Sequence, residues 1–379
     1  MKYYIISGEA SGDLHGSNLI KQLLLLDASA NVHCWGGDLM ETAGGKLIKH
    51  YKELAFMGFA EVVKNLPTIF RNIKFCKQDI ANFKPDVLVL IDYPGFNLRI
   101  AEWAKQQGYK VVYYISPQVW AWKENRVKKM KQCIDKMLCI LPFEKEYYQN
   151  KWNWNVEYVG HPLVEVIESS IANKLYISSD TSNSNFTLHT KQIIALLPGS
   201  RKQEIAKKLP IMLEVSKSFP NYQFIVAQAP GQDDNFYKPF LQPYHNVSTI
   251  KNNTYQLLMQ SIAALVTSGT ATLETALFAV PEVVCYKGSN ISYQIAKKLI
   301  KIKYISLVNL IMNKLVVKEL IQNDLTVDNI TKELNVLLND VAKQQQLQND
   351  YADLKKLLSS GGNASKNAAT IIYDFAKGN

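Results

Sequence analysis

Short apolar runs alternate with amphipathic stretches along most of this chain. The runs have the length of buried strands and lie at residues 3–7, 32–36, 87–91, 111–115, 137–141, 193–198, 223–227, 263–267 and 282–286. Because they are continuously apolar rather than alternating, they are typical of parallel strands covered by helices on both faces. The pattern predicts doubly wound α/β structure formed twice, as two Rossmann-like domains.

One polar stretch, YISSDTSNSNFTLHT at 176–190, interrupts the alternation. It is rich in Ser, Thr and Asn and has no hydrophobic period, as is typical of a linker. We therefore predict an N-terminal domain at 1–175 and a C-terminal domain at 191–345. Helical patterns at 329–346 and 350–376 are separated by little, and SSGGN at 359–363 is predicted to be a break. The helices of 346–379 are expected to cross back and pack near the first domain.

Bulk properties narrow the class of protein. No apolar run approaches the roughly 18 residues that would span a bilayer. Met1 and Lys2 lead straight into the first strand without the layout of a secretory signal, so we expect a cytoplasmic protein. The five cysteines are scattered and lack C-x-x-C spacing, which predicts reduced thiols rather than disulfides or a zinc site. A formal charge of +10 favours an anionic partner: nucleic acid, anionic lipid or a phosphorylated substrate.

Two loops that follow strands in the second half could bind phosphate. LPGSRKQEI supplies Gly199, Ser200 and Arg201, and an arginine fork can bind phosphate oxygens in pairs. The alternative is an ordinary turn with a solvated arginine. SGTATLETAL places Ser268, Gly269 and Thr270 before a helix whose first N–H groups would form an anion site. Glu274, one helical turn later, could accept hydrogen bonds from a ribose diol, or could be a surface residue of a capped helix.

The first half carries its own candidates. Asp92, in IDYPGFN, follows a strand at the edge where α/β enzymes hold catalytic groups, although it could also shape the turn, as could Asn97. His161, in VGHPL, could act as a base but is more often structural in such a position. The stretch SPQVWAWKENRVKKMKQ at 116–132 predicts a helix with one basic face, either solvated or anion-binding.

A dense apolar segment at 56–75 is interrupted by Lys64, Arg71 and Lys74. Its large side chains include Met57, Phe59, Val62, Val63, Leu66, Ile69, Phe70 and Ile73. A buried helix pair and insertion into an anionic membrane interface are both compatible with this pattern.

The first loop, SGEASGD, contains Gly8, Glu9, Ser11, Gly12 and Asp13. Its spacing matches neither the dinucleotide fingerprint nor the P-loop, since Asp13 stands where a P-loop needs Gly-Lys. Glycines there allow a close backbone approach, while two carboxylates suit sugar hydroxyls better than phosphates. We expect this loop to contact a sugar rather than a nucleotide.

Several of these loops, in this order and spacing, resemble the lipid-A-disaccharide synthase family over nearly the whole chain. The motifs are SGEASGD, MGFAEV, IDYPGFN, SPQVWAWKENR, FEKEYY, VGHPL, LPGSRKQEI, SGTATLETAL, VPEVVCYK and YISLVNLI. The resemblance implies a bacterial, inverting glycosyltransferase with the GT-B fold, in which two Rossmann-like domains face each other across a cleft. It implies that UDP-2,3-diacylglucosamine and 2,3-diacylglucosamine 1-phosphate react to give the lipid A disaccharide 1-phosphate and UDP.

The resemblance also assigns roles. Asp92 would be the base and Arg201 would stabilise the leaving UDP, without a metal or other cofactor. The loops at 199–201 and 268–270 would hold the diphosphate and Glu274 the ribose. Asn309 in YISLVNLI would lie near the donor and bind it. The first loop would lie on the acceptor side. Departures from the commoner family pattern stand at Gly95, Val308, Asn313 and Lys314.

Because both substrates are lipids, the resemblance implies peripheral attachment to an anionic surface, the inner face of the cytoplasmic membrane, through residues 56–75. Whether the protein forms a homodimer is left open, and no nucleic acid partner is expected. Rival interpretations are another UDP-sugar enzyme, such as a peptidoglycan N-acetylglucosaminyltransferase or a UDP-N-acetylglucosamine 2-epimerase, and a non-catalytic basic protein. The last would need neither Asp92 nor Glu274, and the chain lacks the interleaved basic and aromatic residues of single-strand binders.

Overall fold

The computed structural model describes residues 1–54, 66–177, 191–289, 293 and 303–378. Contacts divide the chain into two units, Met1–Pro162 with Leu358–Asn379, and Leu163–Leu357. The division follows Pro162, earlier than the linker predicted at 176–190. Residues 176 and 177 of that stretch end a helix, and 178–190 lie outside the described residues.

The described part of the first unit contains a seven-stranded parallel sheet in the order β3-β2-β1-β4-β5-β6-β7. Its strands are β1 (Lys2–Ile6), β2 (Asn31–Gly36), β3 (Lys46–His50), β4 (Val87–Ile91), β5 (Val111–Tyr114), β6 (Lys136–Cys139) and β7 (Glu157–Tyr158). The helices are α1 (Ala10–Leu26), α2 (Asp38–Thr42), α3 (Leu66–Phe83), α4 (Pro94–Gln106), α5 (Val119–Trp122), α6 (Arg126–Cys133) and α7 (Pro142–Trp152). Helix α8 (Pro162–Ile177) leads into the second unit.

The described part of the second unit contains a six-stranded parallel sheet in the order β10-β9-β8-β11-β12-β13. Its strands are β8 (Ile193–Leu197), β9 (Gln223–Gln228), β10 (Val247–Lys251), β11 (Ser261–Thr267), β12 (Glu282–Tyr286) and β13 (Lys318–Ile321). The helices are α9 (Lys202–Val215), α10 (Asp234–Leu241), α11 (Thr254–Leu258), α12 (Thr270–Leu277), α13 (Leu307–Met312), α14 (Val327–Asn339) and α15 (Val341–Ser359). Helix α16 (Ala364–Lys377) belongs to the first unit.

Strand β4 explains why the apolar runs are continuous. All five of its residues are buried. Leu88 and Leu90 contribute to the hydrophobic core on one face of the sheet, whereas Val87, Val89 and Ile91 contribute to the core on the other. Successive side chains point to opposite faces, so a strand covered by helices on both sides needs an apolar residue at every position.

All nine predicted apolar runs form strands, and the two parallel sheets confirm the predicted fold class. The apolar pattern missed β3, β7, β10 and β13, which are the four edge strands of the two sheets. Edge strands have one unpaired side and are less completely covered, so they can carry polar residues and lack a continuous apolar run.

The C-terminal helix α16 packs in the first unit. Ala368, Ala369 and Ile372 share a hydrophobic core with Leu19 and Leu23 of α1. The break predicted at 359–363 separates α15 from α16, while a further break at Asp340, inside the predicted helix 329–346, separates α14 from α15. None of the helices in the described ranges is both long and apolar enough to cross a bilayer.

Candidate active site

The backbone at the end of β4 turns sharply. Asp92 and Tyr93 have φ angles of 43° and 49°, in the left-handed region that residues other than glycine rarely adopt. The N–H of Asp92 donates to the carbonyl oxygen of Tyr114 at 3.1 Å. Helix α4 begins directly afterwards at Pro94. Strained backbone of this kind is concentrated at functional sites, and here it presents Asp92 at the carboxyl edge of the sheet.

Two buried side chains hold this turn. The amide nitrogen of Asn97 donates to the carbonyl oxygens of Asp92 at 2.8 Å and Ile91 at 3.1 Å. The hydroxyl of Tyr113 donates to the Asp92 carbonyl at 2.5 Å. Asn97 therefore shapes the turn, which was one of the two roles left open by the sequence. The sequence did not predict this role of Tyr113, because nothing in an apolar strand indicates that a tyrosine hydroxyl hydrogen-bonds to the neighbouring loop.

The carboxyl group of Asp92 lies in a recess. Its side chain is open to solvent, yet protein atoms crowd it on most sides. Desolvation by these atoms, together with the nearby negative charge of Glu9, raises the pKa of Asp92 to about 6. A carboxyl group with this pKa is largely ionised at neutral pH and still basic enough to accept a proton.

The first loop lies beside the Asp92 turn because β1 and β4 are neighbours in the sheet. A methyl group on Gly8 would lie 2.4 Å from the Tyr93 ring, so only glycine permits this contact. Gly12 is similarly close to Ser7, at 2.8 Å for an added methyl. Ser11 is exposed in the first turn of α1 and Glu9 is half-buried at its N-cap. Gly8 and Glu9 therefore lie beside the Asp92 turn, and Ser11 and Gly12 follow them in the first turn of α1. Contact of this loop with a sugar stays a prediction.

Asp13 has a different role from the one expected. Its buried carboxylate accepts hydrogen bonds from the backbone N–H groups of Gly37 at 2.8 Å, Met40 at 3.0 Å and Leu39 at 3.2 Å. These are the donors left unpaired at the start of α2, and a carboxylate is well suited to satisfy them. Asp13 thus anchors α2 against α1, which corrects the expectation that its carboxylate meets a sugar hydroxyl.

His161 is buried in the first unit. Burial and the neighbouring His15 lower the pKa of His161 to about 3, and burial lowers the pKa of His15 to about 4. Both imidazoles are neutral at physiological pH. Their burial favours the structural interpretation of His161.

The two predicted phosphate loops of the second unit are brought side by side, because β8 and β11 are neighbours. Gly199 has a φ of 118°, and a side chain there would lie 3.0 Å from the Glu204 carboxylate. Ser200 and Arg201 are exposed at the start of α9. The guanidinium of Arg201 pairs with Glu204 at 3.2 Å. This exposed pair contributes little to stability, so an anionic ligand can replace the carboxylate.

A buried lysine lies under this loop and was missed from the sequence. The ammonium of Lys208 donates to the hydroxyl of Thr267, the last residue of β11, and only 3% of Lys208 is exposed. A side chain on Gly199 would lie 3.5 Å from this ammonium. Burial lowers the pKa of Lys208. One lysine among several in a helical pattern gives no sequence signal that it points inward.

The second loop is built around the start of α12. Gly269 has a φ of 147°, Thr270 is exposed, and the hydroxyl of Thr272 donates to the Gly269 carbonyl at 2.8 Å. The hydroxyl of Ser268 donates to the carbonyl of Ile305 at 2.9 Å. Exposed backbone at a helix start of this kind can bind an anion. The side chain of Ser268 ties the loop to the segment before α13.

Glu274 lies one turn into α12, as predicted. Its carboxylate accepts a hydrogen bond from the Tyr255 hydroxyl at 3.1 Å. Burial raises the pKa of Glu274, and the Tyr255 bond opposes this. The carboxylate has capacity for further donors, such as a sugar diol.

The side-chain amide of Asn309 is hydrogen-bonded within its own loop. Its amide oxygen accepts from the N–H groups of Val316 at 2.8 Å and Val317 at 3.0 Å. Its amide nitrogen donates to the Val317 carbonyl at 2.8 Å and to Glu319 at 2.9 Å. An Asn amide has two donors and two acceptor positions, so all four are occupied. This corrects the expectation of direct donor contact: Asn309 fixes the loop that accepts the Ser268 hydrogen bond.

The apolar segment at 56–75 is described only from Leu66 onward, so Met57, Phe59, Val62 and Val63 lie outside the described residues. In α3, Ile73 is buried and Ile69 packs against the same core, so these two are not surface residues as expected. Phe70 is 60% exposed and Phe75 is 43% exposed. For Leu66 only the backbone is described.

The comparisons with known proteins identify the family. The sequence model of the family described as Lipid-A-disaccharide synthetase matches residues 3–372. The lipid-A-disaccharide synthase of Geobacter sulfurreducens is 36% identical, over 98% of this chain and 97% of its own length. That of Coxiella burnetii is 37% identical over the same shares. This chain belongs to the lipid-A-disaccharide synthase family. It is a glycosyltransferase of lipid A biosynthesis.

Solved structures relate this family member to the GT-B fold. The UDP-GlcNAc 2-epimerase of Neisseria meningitidis bound to UDP-GlcNAc has a TM-score of 0.68 at 15% identity, covering 100% of both chains. The glycotransferase of kitacinnamycin has a TM-score of 0.67 at 12% identity, covering 98% of both chains. At these identities the likeness concerns the fold alone, and it confirms the predicted GT-B class.

In this lipid-A-disaccharide synthase family member, the structure thus assembles two groups of predicted residues. One group joins Gly8 and Glu9 to Asp92 in the first unit. The other joins Gly199 and Arg201 to the start of α12 in the second. In each case neighbouring parallel strands end at the same edge of the sheet and bring their loops together.

Proposed function

We propose that this protein transfers the 2,3-diacylglucosaminyl group of UDP-2,3-diacylglucosamine to the 6-hydroxyl of 2,3-diacylglucosamine 1-phosphate. The products are the β-1,6-linked disaccharide 1-phosphate and UDP. One observation carries the proposal most: a recessed carboxyl group, Asp92, has its pKa raised to about 6 at the carboxyl edge of the sheet. Among members of a glycosyltransferase family, a group so placed is suited to general base catalysis.

The reaction forms one carbon–oxygen bond, breaks another and transfers one proton. The carboxylate of Asp92 takes the proton of the acceptor 6-hydroxyl as its oxygen attacks the anomeric carbon of the donor sugar. The bond from that carbon to the diphosphate oxygen breaks on the opposite face, and UDP leaves with the electron pair. Attack opposite the leaving group inverts the anomeric configuration.

The second unit supplies groups for the leaving UDP. Arg201, exposed and paired with a neighbouring carboxylate at 3.2 Å, can turn to the diphosphate. The backbone at Gly199, Ser200 and the start of α12 offers N–H donors, and Glu274 can accept from the ribose. Preorganised donors of this kind stabilise the charge that develops on a leaving group.

Attachment to the inner face of an anionic cytoplasmic membrane is part of the proposal. Support comes from the formal charge of +10 and from α3, where the exposed Phe70 and Phe75 neighbour the exposed cations Arg71 and Lys74. Apolar side chains among cations suit an anionic interface. Sedimentation with anionic and with zwitterionic vesicles tests this, with Phe70→Ser as the variant expected to bind less. Light scattering in detergent tests the homodimer.

The deciding experiment incubates purified protein with both substrates, once with a chelator and once with added Mg²⁺. Disaccharide and UDP in equal amounts under both conditions are the expected result. Absence of product under both conditions would refute the proposed reaction, whereas product only with Mg²⁺ would refute the metal-free mechanism. The variant Asp92→Asn serves as the matched control for contaminating activity.

A further inference from the structure

A pocket of about 200 Å³ opens between α4 and α6, directly beside the Asp92 turn. Pro94 and Gly95, which belong to that turn and to the start of α4, form one wall. Three cationic side chains line it: Arg99, Arg126 and Lys129. We call this the cation pocket. None of these three residues has a role in the reaction described above.

Two cations of the cation pocket, Arg99 and Lys129, keep donors that a ligand can use. Arg99 uses one donor on the Gly95 carbonyl at 2.5 Å, and a guanidinium has five. Lys129 pairs with Glu102, the one acidic residue of the lining, at 2.7 Å. Both partners of that pair are well exposed, and such pairs are weak enough for a doubly charged anion to replace the carboxylate.

One side of the cation pocket is apolar. Met130 and Cys133 of α6 are buried, and Leu98 of α4 is half-buried. An apolar wall excludes water from one side of a bound anion, so the cations act through a lower effective dielectric constant than on an open surface. The N-terminus of α4, a helix of 13 residues, adds a partial positive charge at Pro94 and Gly95.

The distance between the cation pocket and Asp92 is short enough for a single hexose to reach both. Gly95 is three residues from Asp92, so their Cα atoms are at most about 11 Å apart. Arg126 also interacts with the Asp92 turn, through Tyr113. The hydroxyl of Tyr113 donates to the Asp92 carbonyl. Burial raises the pKa of Tyr113, and the positive charge of the Arg126 guanidinium opposes this rise. In a hexose the anomeric carbon is joined through the ring oxygen to the carbon that carries the 6-hydroxymethyl group. A sugar whose 6-hydroxyl lies at Asp92 can therefore bring a 1-phosphate within reach of these cations.

We infer that the cation pocket binds the phosphate monoester of the acceptor, and so selects the sugar that carries a 1-phosphate. This rests on the proposed function, since it assumes that Asp92 receives the acceptor hydroxyl. The basic helix whose role the sequence left open would then be an acceptor-binding element.

The test compares acceptors with and without the 1-phosphate in neutral detergent. The wild type should prefer the phosphorylated acceptor in kcat/KM, and Arg126→Gln and Lys129→Gln should each reduce this preference about tenfold, the value of one charge-assisted contact. The KM for the donor should not change. Lys128→Gln is the matched control, because Lys128 is exposed on the same helix and does not line the pocket. An unchanged preference in both variants would overturn the inference.

A binding measurement separates this inference from the proposed reaction. Calorimetry with glucosamine 1-phosphate and with glucosamine reports on the cation pocket even if no disaccharide is formed. Lys129→Gln, whose side chain is exposed and should not disturb folding, should weaken binding of the phosphorylated sugar alone. A membrane headgroup is the other source of phosphate. If the variant loses binding to phosphatidylglycerol vesicles but keeps its preference for the phosphorylated acceptor, the cation pocket serves the membrane and the inference is wrong.

Discussion

The side-chain amide of Asn97 donates a hydrogen bond to the backbone carbonyl oxygen of Asp92, at 2.8 Å. Asn97 is fully buried in α4, and the same nitrogen also donates to the last residue of β4 at 3.1 Å. The bonds hold a turn whose two residues have positive φ. They engage the backbone at Asp92 and not its carboxyl group, which accepts a hydrogen bond from the backbone N–H of Tyr93 and has capacity for a further donor.

Replacement of Asp92 by Asn should lower turnover by at least about 100-fold, the usual contribution of a general base. In the wild type, kcat/KM should rise with pH to a plateau, with a midpoint near the pKa of about 6. The residual kcat/KM of the Asp92→Asn variant should not show this rise with pH. Near-normal turnover would remove Asp92 as the base.

The same variant should not lose stability at pH 7.5. Because folding raises the pKa of Asp92, its contribution to stability is greatest below the unfolded value and is lost as the pH rises through about 6. At pH 7.5 the ionised carboxyl group therefore opposes folding. Thermal unfolding of Asp92→Asn should occur at the wild-type temperature or above it, and a large decrease would show that Asp92 is structural.

Tyr113→Phe should lower kcat while leaving both KM values near those of the wild type. The variant removes one of the bonds to the Asp92 carbonyl and keeps the ring volume. Tyr4→Phe is the control, because its buried hydroxyl donates to Asp79 at 2.7 Å and not to the turn. Both variants should lose about 1 kcal/mol of unfolding free energy, but only the first should lose activity. Equal kcat values would contradict a positioning role for Tyr113.

Lys208→Met should weaken UDP binding about tenfold, as expected for loss of a charge that acts at a diphosphate loop. The ammonium is buried next to Gly199 and bonded to Thr267, so it adds positive charge and fixes the loop. Lys207→Met is the matched control, since Lys207 is exposed on the same helix. Calorimetry with UDP measures the effect. Equal affinities of the two variants would assign Lys208 to packing alone.

Glu274→Gln should reduce the preference for UDP over 2′-deoxy-UDP. A carboxylate accepts two hydrogen bonds from a ribose diol more strongly than a neutral amide does. Tyr255→Phe keeps the carboxylate and removes its known partner at 3.1 Å, so this variant should keep the preference. Competition binding with the two nucleotides gives the result. An unchanged preference in Glu274→Gln would show that the ribose lies elsewhere.

Much of the fold could be predicted because it depends on local pattern. A strand such as β4, buried on both faces, must be apolar throughout, so the central strands were visible in the sequence. The edge strands β3, β7, β10 and β13 were not visible, because pairing with one neighbour does not impose that pattern.

The sequence by itself determined the two parallel sheets and the family, and it pointed to the loops for which we propose the chemistry. Tertiary structure alone decided what each polar side chain in those loops does. Asp13 and Asn309 are engaged by backbone groups, and Asp13 finds its partners 24 to 27 residues away. Asp92 and Arg201 stay exposed, while Lys208 turns inward. The physical reason is that a buried polar group must be satisfied, and its partner is set by which strands and helices the fold brings together.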